Sequence, residues 1–468
     1  MNLRIHDRLP FQGDRSLTVA LTWGQRAMWP TAAAFANPHT AVNLSRTVPL
    51  SARLDVDLPR VGQALAALVG RHESLRTRIR LVDGELRQVT AARGRLPLLT
   101  VVADAPDPDG ARTAARVRQW WGPQPFDHGA EWPLRAVAVL VDGRVRQLVL
   151  VFDHSVVDFH AVEILLRELR LLLVRGVVTT AAGLQSADVA MREREAQRWR
   201  SARAVAYWVR EFGLLPAGPF GEAARVPGGG MGSGPSGPAW GPSPRYCQGT
   251  LVSGAVEAAS RLLAIRYRTS TATAILAATA AVSAARAGAQ TSGVMTMANN
   301  RFPPGYAEVI SKLNQIGLCR VDLTGRPDFA ELLARTRRGA LAGYRHAYYD
   351  PAALAHAFAG EGNDLATALA PFCCLNDIRL PRPEPVSPPG GDTATPGIFT
   401  WADPPAAFGW RCRIQIVDGV PGTLGLVITA DTRYLPAEQA EGLLREIEAF
   451  LVAAACDAAP RRCGSDMT

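Results

Sequence analysis

Apolar residues along this chain follow two rhythms, one spaced by three and four positions and one alternating or continuous. Val61, Leu65, Leu68 and Val69 recur on one helical face. Two strand-like runs follow, LRTRIRLV and ELRQVTA, joined by Asp83-Gly84. Asp-Gly between apolar runs predicts a tight hairpin, because both residues tolerate positive φ. Asp142-Gly143 joins RAVAVLV to RVRQLVLVF in the same way. Leu148 to Phe152 is apolar at every position, which predicts a strand covered on both faces. Val162, Leu165, Leu166, Leu169, Leu172 and Leu173 then fall at helical spacing, with Gly176 as the stop.

The second half repeats the style. A buried helix is expected near residues 271–285, then a strand at SGVMTMA, then RCRIQIV and LGLVITA around a turn containing Asp418-Gly419. The closing helix is expected to start at Pro436 and to bury Leu443, Leu444, Ile447 and Leu451. Between the halves, residues 215–245 are dense in Gly, Pro and Ser and read as a linker. The expected division is therefore 1–214, a linker at 215–245, 246–456, and a disordered tail at 457–468. Both halves mix helices and strands, so the fold class is mixed α/β (α+β).

Length and composition narrow this further. The 468 residues allow two or three domains, and 48% hydrophobic with 20% charged residues describes a globular chain. The net charge of +9 weakens as a sign of nucleic-acid binding, because Lys312 is the only lysine and no arginine-rich run is interleaved with aromatics. The seven cysteines, Cys247, Cys319, Cys373, Cys374, Cys412, Cys456 and Cys463, show no zinc-ligand spacing and read as free thiols. No metal is expected. The N-terminus lacks the apolar core of a signal peptide. The stretch between Arg268 and Arg286 is too short and too rich in Ala, Thr and Ser for a membrane span. A soluble, cytoplasmic protein is expected.

One constellation carries chemistry. The apolar strand ends in Asp153-His154-Ser155-Val156-Val157-Asp158, and the amphipathic helix starts at once. A histidine at a strand end suits acid–base work near neutral pH. Asp158 is equally a good N-cap, a role that needs no catalysis.

The surrounding motifs resemble the condensation-domain family of nonribosomal peptide synthetases. LTWGQRAMW (Leu21 to Trp29) looks like the family's opening motif, and ALVGRHESLRTRI (Ala67 to Ile79) is very similar to its second. PFDHGAEWPLR (Pro125 to Arg135) resembles the segment before the active-site strand. FDHSVVDFHA takes the place of the His-His-x-x-x-Asp-Gly motif. MANNR (Met297 to Arg301), KLNQIGL (Lys312 to Leu318), GYRHAYYDPAAL and ADTRYLPAEQAEGLL resemble later segments. The resemblance implies two chloramphenicol-acetyltransferase-like lobes in a V around a central tunnel. It also implies an acyl or peptidyl carrier protein as partner, its phosphopantetheine arm carrying the acyl group. No bound cofactor is implied. His154 maps onto the family's second motif histidine, which positions or deprotonates the attacking amine or hydroxyl. Asp158 maps onto a mainly structural aspartate bonded to an arginine of the second lobe, for which Arg301 is the candidate. Asn314 matches a supporting asparagine near the tunnel.

Two departures stand beside the tunnel of that resemblance. Asp153 replaces the first motif histidine, and a carboxylate buried there requires a partner. Phe159 replaces a glycine, and it either narrows the acceptor channel or packs harmlessly as the first helical residue. The leading expectation is a free-standing condensation enzyme of natural-product biosynthesis, forming an amide or ester with a small amine or alcohol. The alternative is a degenerate domain that binds carrier-bound intermediates or recruits an enzyme. A third reading is direct use of acyl-coenzyme A, since the same pantetheine arm would fit the tunnel; the weak similarity of AFGWR (Ala407 to Arg411) to the DFGWG motif of plant-type acyl-CoA transferases is taken as chance.

Overall fold

The computed structural model describes residues 3–29, 43–221, 245–379, 395–405 and 408–458. Contacts divide the chain into two units. The first is Met1–Ser201 with Asn299–Gln315 and Asp350–Ala352, and the second is Ala202–Ala298, Ile316–Tyr349 and Ala353–Thr468. A single cut near residue 214 therefore misses an exchange of chain. Residues 202–214 pack with the second unit, and residues 299–315 return to the first.

The first unit runs β1 (Arg4–Gln12), β2 (Leu17–Ala20), α1 (Trp23–Met28), β3 (Asn43–Pro49) and α2 (Leu58–Arg71). It continues with β4 (Thr77–Val82), β5 (Glu85–Thr90), β6 (Arg93–Val102), α3 (Ala111–Trp121), β7 (Leu134–Val141) and β8 (Arg144–Asp153). Then come α4 (Phe159–Arg175) and α5 (Ser186–Arg194), and the boundary falls inside α6 (Arg198–Phe212). Among the described residues, five strands form a sheet in the order β1-β6-β7-β8-β3, with β6 and β7 parallel and the other pairs antiparallel. A smaller sheet has the order β2-β5-β4.

Both Asp-Gly hairpins form as the sequence predicts. Asp83 and Gly84 have φ of 50° and 78°, and Asp142 and Gly143 have 50° and 73°. The continuous apolar run of β8 also has its physical reason. Leu148, Leu150 and Phe152 enter the core beneath α2 and α4, while Val149 faces the core of α3 with Ala114 and Val117. Each fully buried leucine there contributes about 2 kcal/mol. α4 starts at Asp158, whose side chain accepts from the Ala161 amide, and stops at Gly176 with φ of 76°.

The second unit holds β9 (Tyr246–Ser253), α7 (Gly254–Arg266), α8 (Thr271–Arg286), β10 (Thr291–Ala298), β11 (Gln315–Asp322) and α9 (Phe329–Arg345). It adds α10 (Pro351–Gly360), α11 (Leu365–Leu369), β12 (Cys373–Asp377), β13 (Ile398–Ala402), β14 (Cys412–Asp418), β15 (Leu424–Asp431) and α12 (Ala437–Ala458). The strands form one sheet in the order β11-β10-β12-β14-β15-β9-β13. α8 is buried along nearly its whole length, as its alanine-rich sequence predicts. Among the described residues no helix is long and apolar enough to cross a membrane.

The expected turn between β14 and β15 follows Asp418 as the loop 419–423, with its positive φ at Gly422. Two expectations change. The linker's start is packed: Phe220 is buried in the second unit's core and its amide donates to the Pro371 carbonyl. α12 runs to Ala458, two residues into the expected tail. The rest of the linker (222–244), the rest of the tail (459–468), Cys463 and Ala407 lie outside the described residues. Cys247, Cys319, Cys373, Cys374 and Cys412 are free and buried, and Cys456 is free and exposed.

Candidate functional site

The site is built on the turn between β8 and α4, wholly inside the first unit. The Val156 amide donates to the Asp153 carbonyl at 3.2 Å and closes the turn, leaving His154 at its corner, half-buried. Nδ1 of His154 lies 2.7 Å from the Val157 carbonyl oxygen. A carbonyl only accepts, so Nδ1 carries the proton and Nε2 keeps its lone pair. Burial, and secondly the charge of Lys312, push the imidazole down to about 4, so the ring is neutral at neutral pH.

Asp158 is 1% exposed, and its oxygens are fully engaged. Oδ1 accepts from the Ala161 amide at 2.9 Å and from Arg301 at 2.8 Å. Oδ2 accepts from Arg301 at 2.7 Å and from the amides of Leu313 and Asn314 at 3.0 and 3.3 Å. Burial alone would raise this carboxyl, but the paired Arg301 and the amide donors outweigh it and hold it below the usual carboxylate range. Such a group orients and braces, with no lone pair left for a substrate proton. Its N-cap role and its arginine partner, set apart as alternatives in the sequence, coexist on one side chain. Arg301 does not belong to the second unit. It comes with segment 299–315, which packs into the first, and it also donates to the Asn299 and Val309 carbonyls.

The same segment brings Asn314, whose contribution is through its backbone. Its amide reaches Asp158, and its carbonyl accepts from Lys312 Nζ at 2.7 Å. Its side-chain Oδ1 is buried with no hydrogen-bond partner among the described residues. Lys312 is 6% exposed, and burial pushes its ammonium down to about 8. Thr22 donates its hydroxyl to the Lys312 carbonyl at 3.2 Å. Gly24 is needed beside it, because a Cβ there would stand 2.1 Å from that oxygen. The opening motif thus seats the lysine segment.

The two departures have partners. Asp153 is 3% exposed. Its Oδ2 lies 2.6 Å from His128 Nδ1, and its Oδ1 accepts from the Ser155 amide at 2.9 Å. His128 in turn meets the Trp29 ring edge-on at 5.0 Å. Phe159 is half-buried, with the Arg46 guanidinium 4.6 Å from its ring centre. Arg46 is tied to Glu163 at 3.1 Å, so Phe159 packs within the first turn of α4 against β3. Lys312 and His128 join the site only in the folded chain. The signal for Lys312 was its solitude among 51 basic residues. His128 had no signal, since its partner lies 25 positions away.

Residues 16–217 match the family model described as Condensation domain. The fold of the whole chain agrees. It matches the structure of the condensation domain mediating chain release from the enacyloxin polyketide synthase at 20% identity, covering 99% of this chain and 87% of that one, with a TM-score of 0.70. Over residues 16–217 the chain is similar to the condensation-domain family. It has the chloramphenicol-acetyltransferase-like fold of those domains. A second solved likeness is the X-domain from teicoplanin biosynthesis, at 18% identity, 96% and 98% coverage and a TM-score of 0.66. The isonitrile lipopeptide synthase of Mycobacterium tuberculosis is 25% identical over 346 residues, which is 71% of this chain and 13% of that protein. The chain thus spans only a small part of that relative's length. Condensation domains are generally acyltransferases and belong to natural-product biosynthesis.

Chemically, the turn offers one neutral imidazole with a free lone pair, braced by a saturated aspartate and arginine pair. Among the described residues no group of His, Cys, Asp and Glu side chains is placed to hold a metal ion.

Proposed function

We propose that this chain transfers an acyl group from the phosphopantetheine thioester of a carrier protein to an amine or alcohol, giving an amide or ester. The observation that carries the reading is the fixed tautomer of His154: with Nδ1 donating to Val157, Nε2 is left to accept the acceptor's proton. As the new C–N or C–O bond forms, the C–S bond breaks, and the proton passes by way of His154 to the departing thiolate. Thioester aminolysis needs orientation and one base, so no bound metal or cofactor is part of the proposal. Asp158 and Arg301 act as positioning residues, and Asn314 supports through its backbone. A net charge of +9 suits an acidic carrier domain.

The test is intact-protein mass spectrometry of acyl-loaded carrier proteins mixed with amine and alcohol acceptors. Wild type should release the acyl group to an acceptor, and His154→Ala should lower the rate by about 10²–10⁴-fold while melting normally. Equal transfer by the variant would remove His154 from the chemistry. A second reading, a domain that binds carrier-bound intermediates without transfer, is favoured by one observation: an imidazole pushed down to about 4 is a weak base. The fold likeness to an X-domain is compatible with it. Carrier binding without transfer across the acceptor panel would select this reading, and direct transfer from acyl-coenzyme A would select the third.

A further inference from the structure

Lys312 is a buried cation without an anion. Its ammonium has three donors, yet among the described residues it makes a single hydrogen bond, to the Asn314 carbonyl at 2.7 Å. Among the described residues no carboxylate lies within ion-pair distance of it. The nearest acidic neighbour, Asp158, is already neutralised by two bonds from Arg301 and filled by three backbone amides. The charged and titratable groups around the turn are Asp158, Arg301, Lys312, His154 and His160, whose imidazole burial also pushes down, with Asp153 held by His128. With His154 neutral, Asp158 and Arg301 cancel and one positive charge is left in a desolvated place. Proteins bury such a charge when something pairs with it.

Two further polar atoms of these segments are unsatisfied. Asn314 Oδ1 and Ser155 Oγ are both buried with no hydrogen-bond partner among the described residues. Asn314 follows Lys312 by two positions, and Ser155 follows His154 by one. An orphaned carbonyl oxygen asks for an N–H or O–H donor, and an orphaned ammonium asks for an anion.

We propose that the acceptor carries a carboxylate, which Lys312 binds, beside the N–H or O–H that it presents to His154. The inference rests on the reading of the His154 turn as the reacting site and narrows the acceptor from any amine or alcohol to an amino or hydroxy acid. Lys312 then sets specificity: it fixes the acid end of the acceptor while the imidazole takes the proton from the other. A neutral acceptor leaves the ammonium unpaired, as it is in the free protein.

The chain's single lysine makes the test clean. Reductive methylation of the native protein with ¹³C-formaldehyde labels only the Lys312 amine and the N-terminal amine, and it keeps the positive charge. Formaldehyde is smaller than any acid the site would hold. Labelling only after unfolding would show Lys312 to be closed to small molecules and would overturn the proposal. On labelled protein, the ¹³C signal of Lys312 is followed while amino and hydroxy acids of two to six carbons are added, each against its carboxamide. The acids should shift the signal saturably and the amides should not. Equal shifts from both, or none from either, would overturn it.

Turnover gives the independent arm. Wild type should prefer the acid over its amide by at least 10-fold in kcat/KM, Lys312→Met should lose that preference, and Lys312→Arg should recover part of it. An unchanged preference in Lys312→Met would overturn the assignment. His154→Ala should still show the acid-induced shift while its transfer is lowered by about 10²–10⁴-fold. Absence of transfer by wild type would therefore count against acyl transfer, and the ¹³C titration would still decide Lys312.

Discussion

Two aspartates bracket His154, and they are stabilised in different ways. Asp153, at the end of β8, has one imidazole and one backbone amide, and its partner His128 is 25 residues away on the same unit's surface loop. Asp158, at the start of α4, has a doubly bonded guanidinium and three backbone amides, and its partner Arg301 is 143 residues away. The first pair shapes one turn. The second ties segment 299–315, and with it Lys312 and Asn314, to that turn. The lesson is that a motif position can change its residue when the change is compensated locally, as Asp153 is by His128. A position that organises distant chain has no such freedom.

The sharpest way to break the comparison is to remove the long-range partner. Asp158→Ala should cost about 3–5 kcal/mol in urea unfolding, because it leaves Arg301 buried and alone. Arg301→Met should cost a similar amount, and the two changes together should cost much less than their sum. A loss below about 1 kcal/mol for either single change would show that the pair does not brace the unit.

The short-range pair should matter less. Asp153→Ala or His128→Ala should each cost about 1–3 kcal/mol, the penalty of one stranded buried polar group. The double change should again be less than additive. If Asp153→Ala proved as costly as Asp158→Ala, the distinction between local and long-range bracing would fail.

The smallest effect is in pH dependence. Asp158 is depressed in the folded state, so its stabilisation is present above the ordinary aspartate range and is lost as pH falls through its lowered value. His154 is also lowered, to about 4, so the unfolded chain takes up its proton first. Its contribution is therefore lost as pH falls from about 6.5 to 4. Melting temperature should decline through both windows in wild type, and His154→Ala should flatten only the upper one. A decline between pH 6.5 and 4 that survives in His154→Ala would assign that window to another group.

Much of the fold was legible in the residues. The Asp-Gly hairpins, the doubly covered β8, the capped α4 and the buried α8 follow from backbone preferences and apolar spacing over a few residues. The position of His154 at a strand end was legible for the same reason. The exchange of segment 299–315 was not, because periodicity reports which face of an element is apolar and not which sheet it packs on. The same limit hid His128 and Lys312.

By itself, then, the sequence determined the elements, the mixed α/β class, the family motifs and the strand-end turn, since each is encoded by neighbours along the chain. Tertiary structure alone decided which partner each charge on that turn received. It gave His128 to Asp153 and Arg301 to Asp158, and it left Lys312 buried with one carbonyl. The reason is physical: burial makes an unpaired charge expensive, and only the folded chain fixes which groups are close enough to share it.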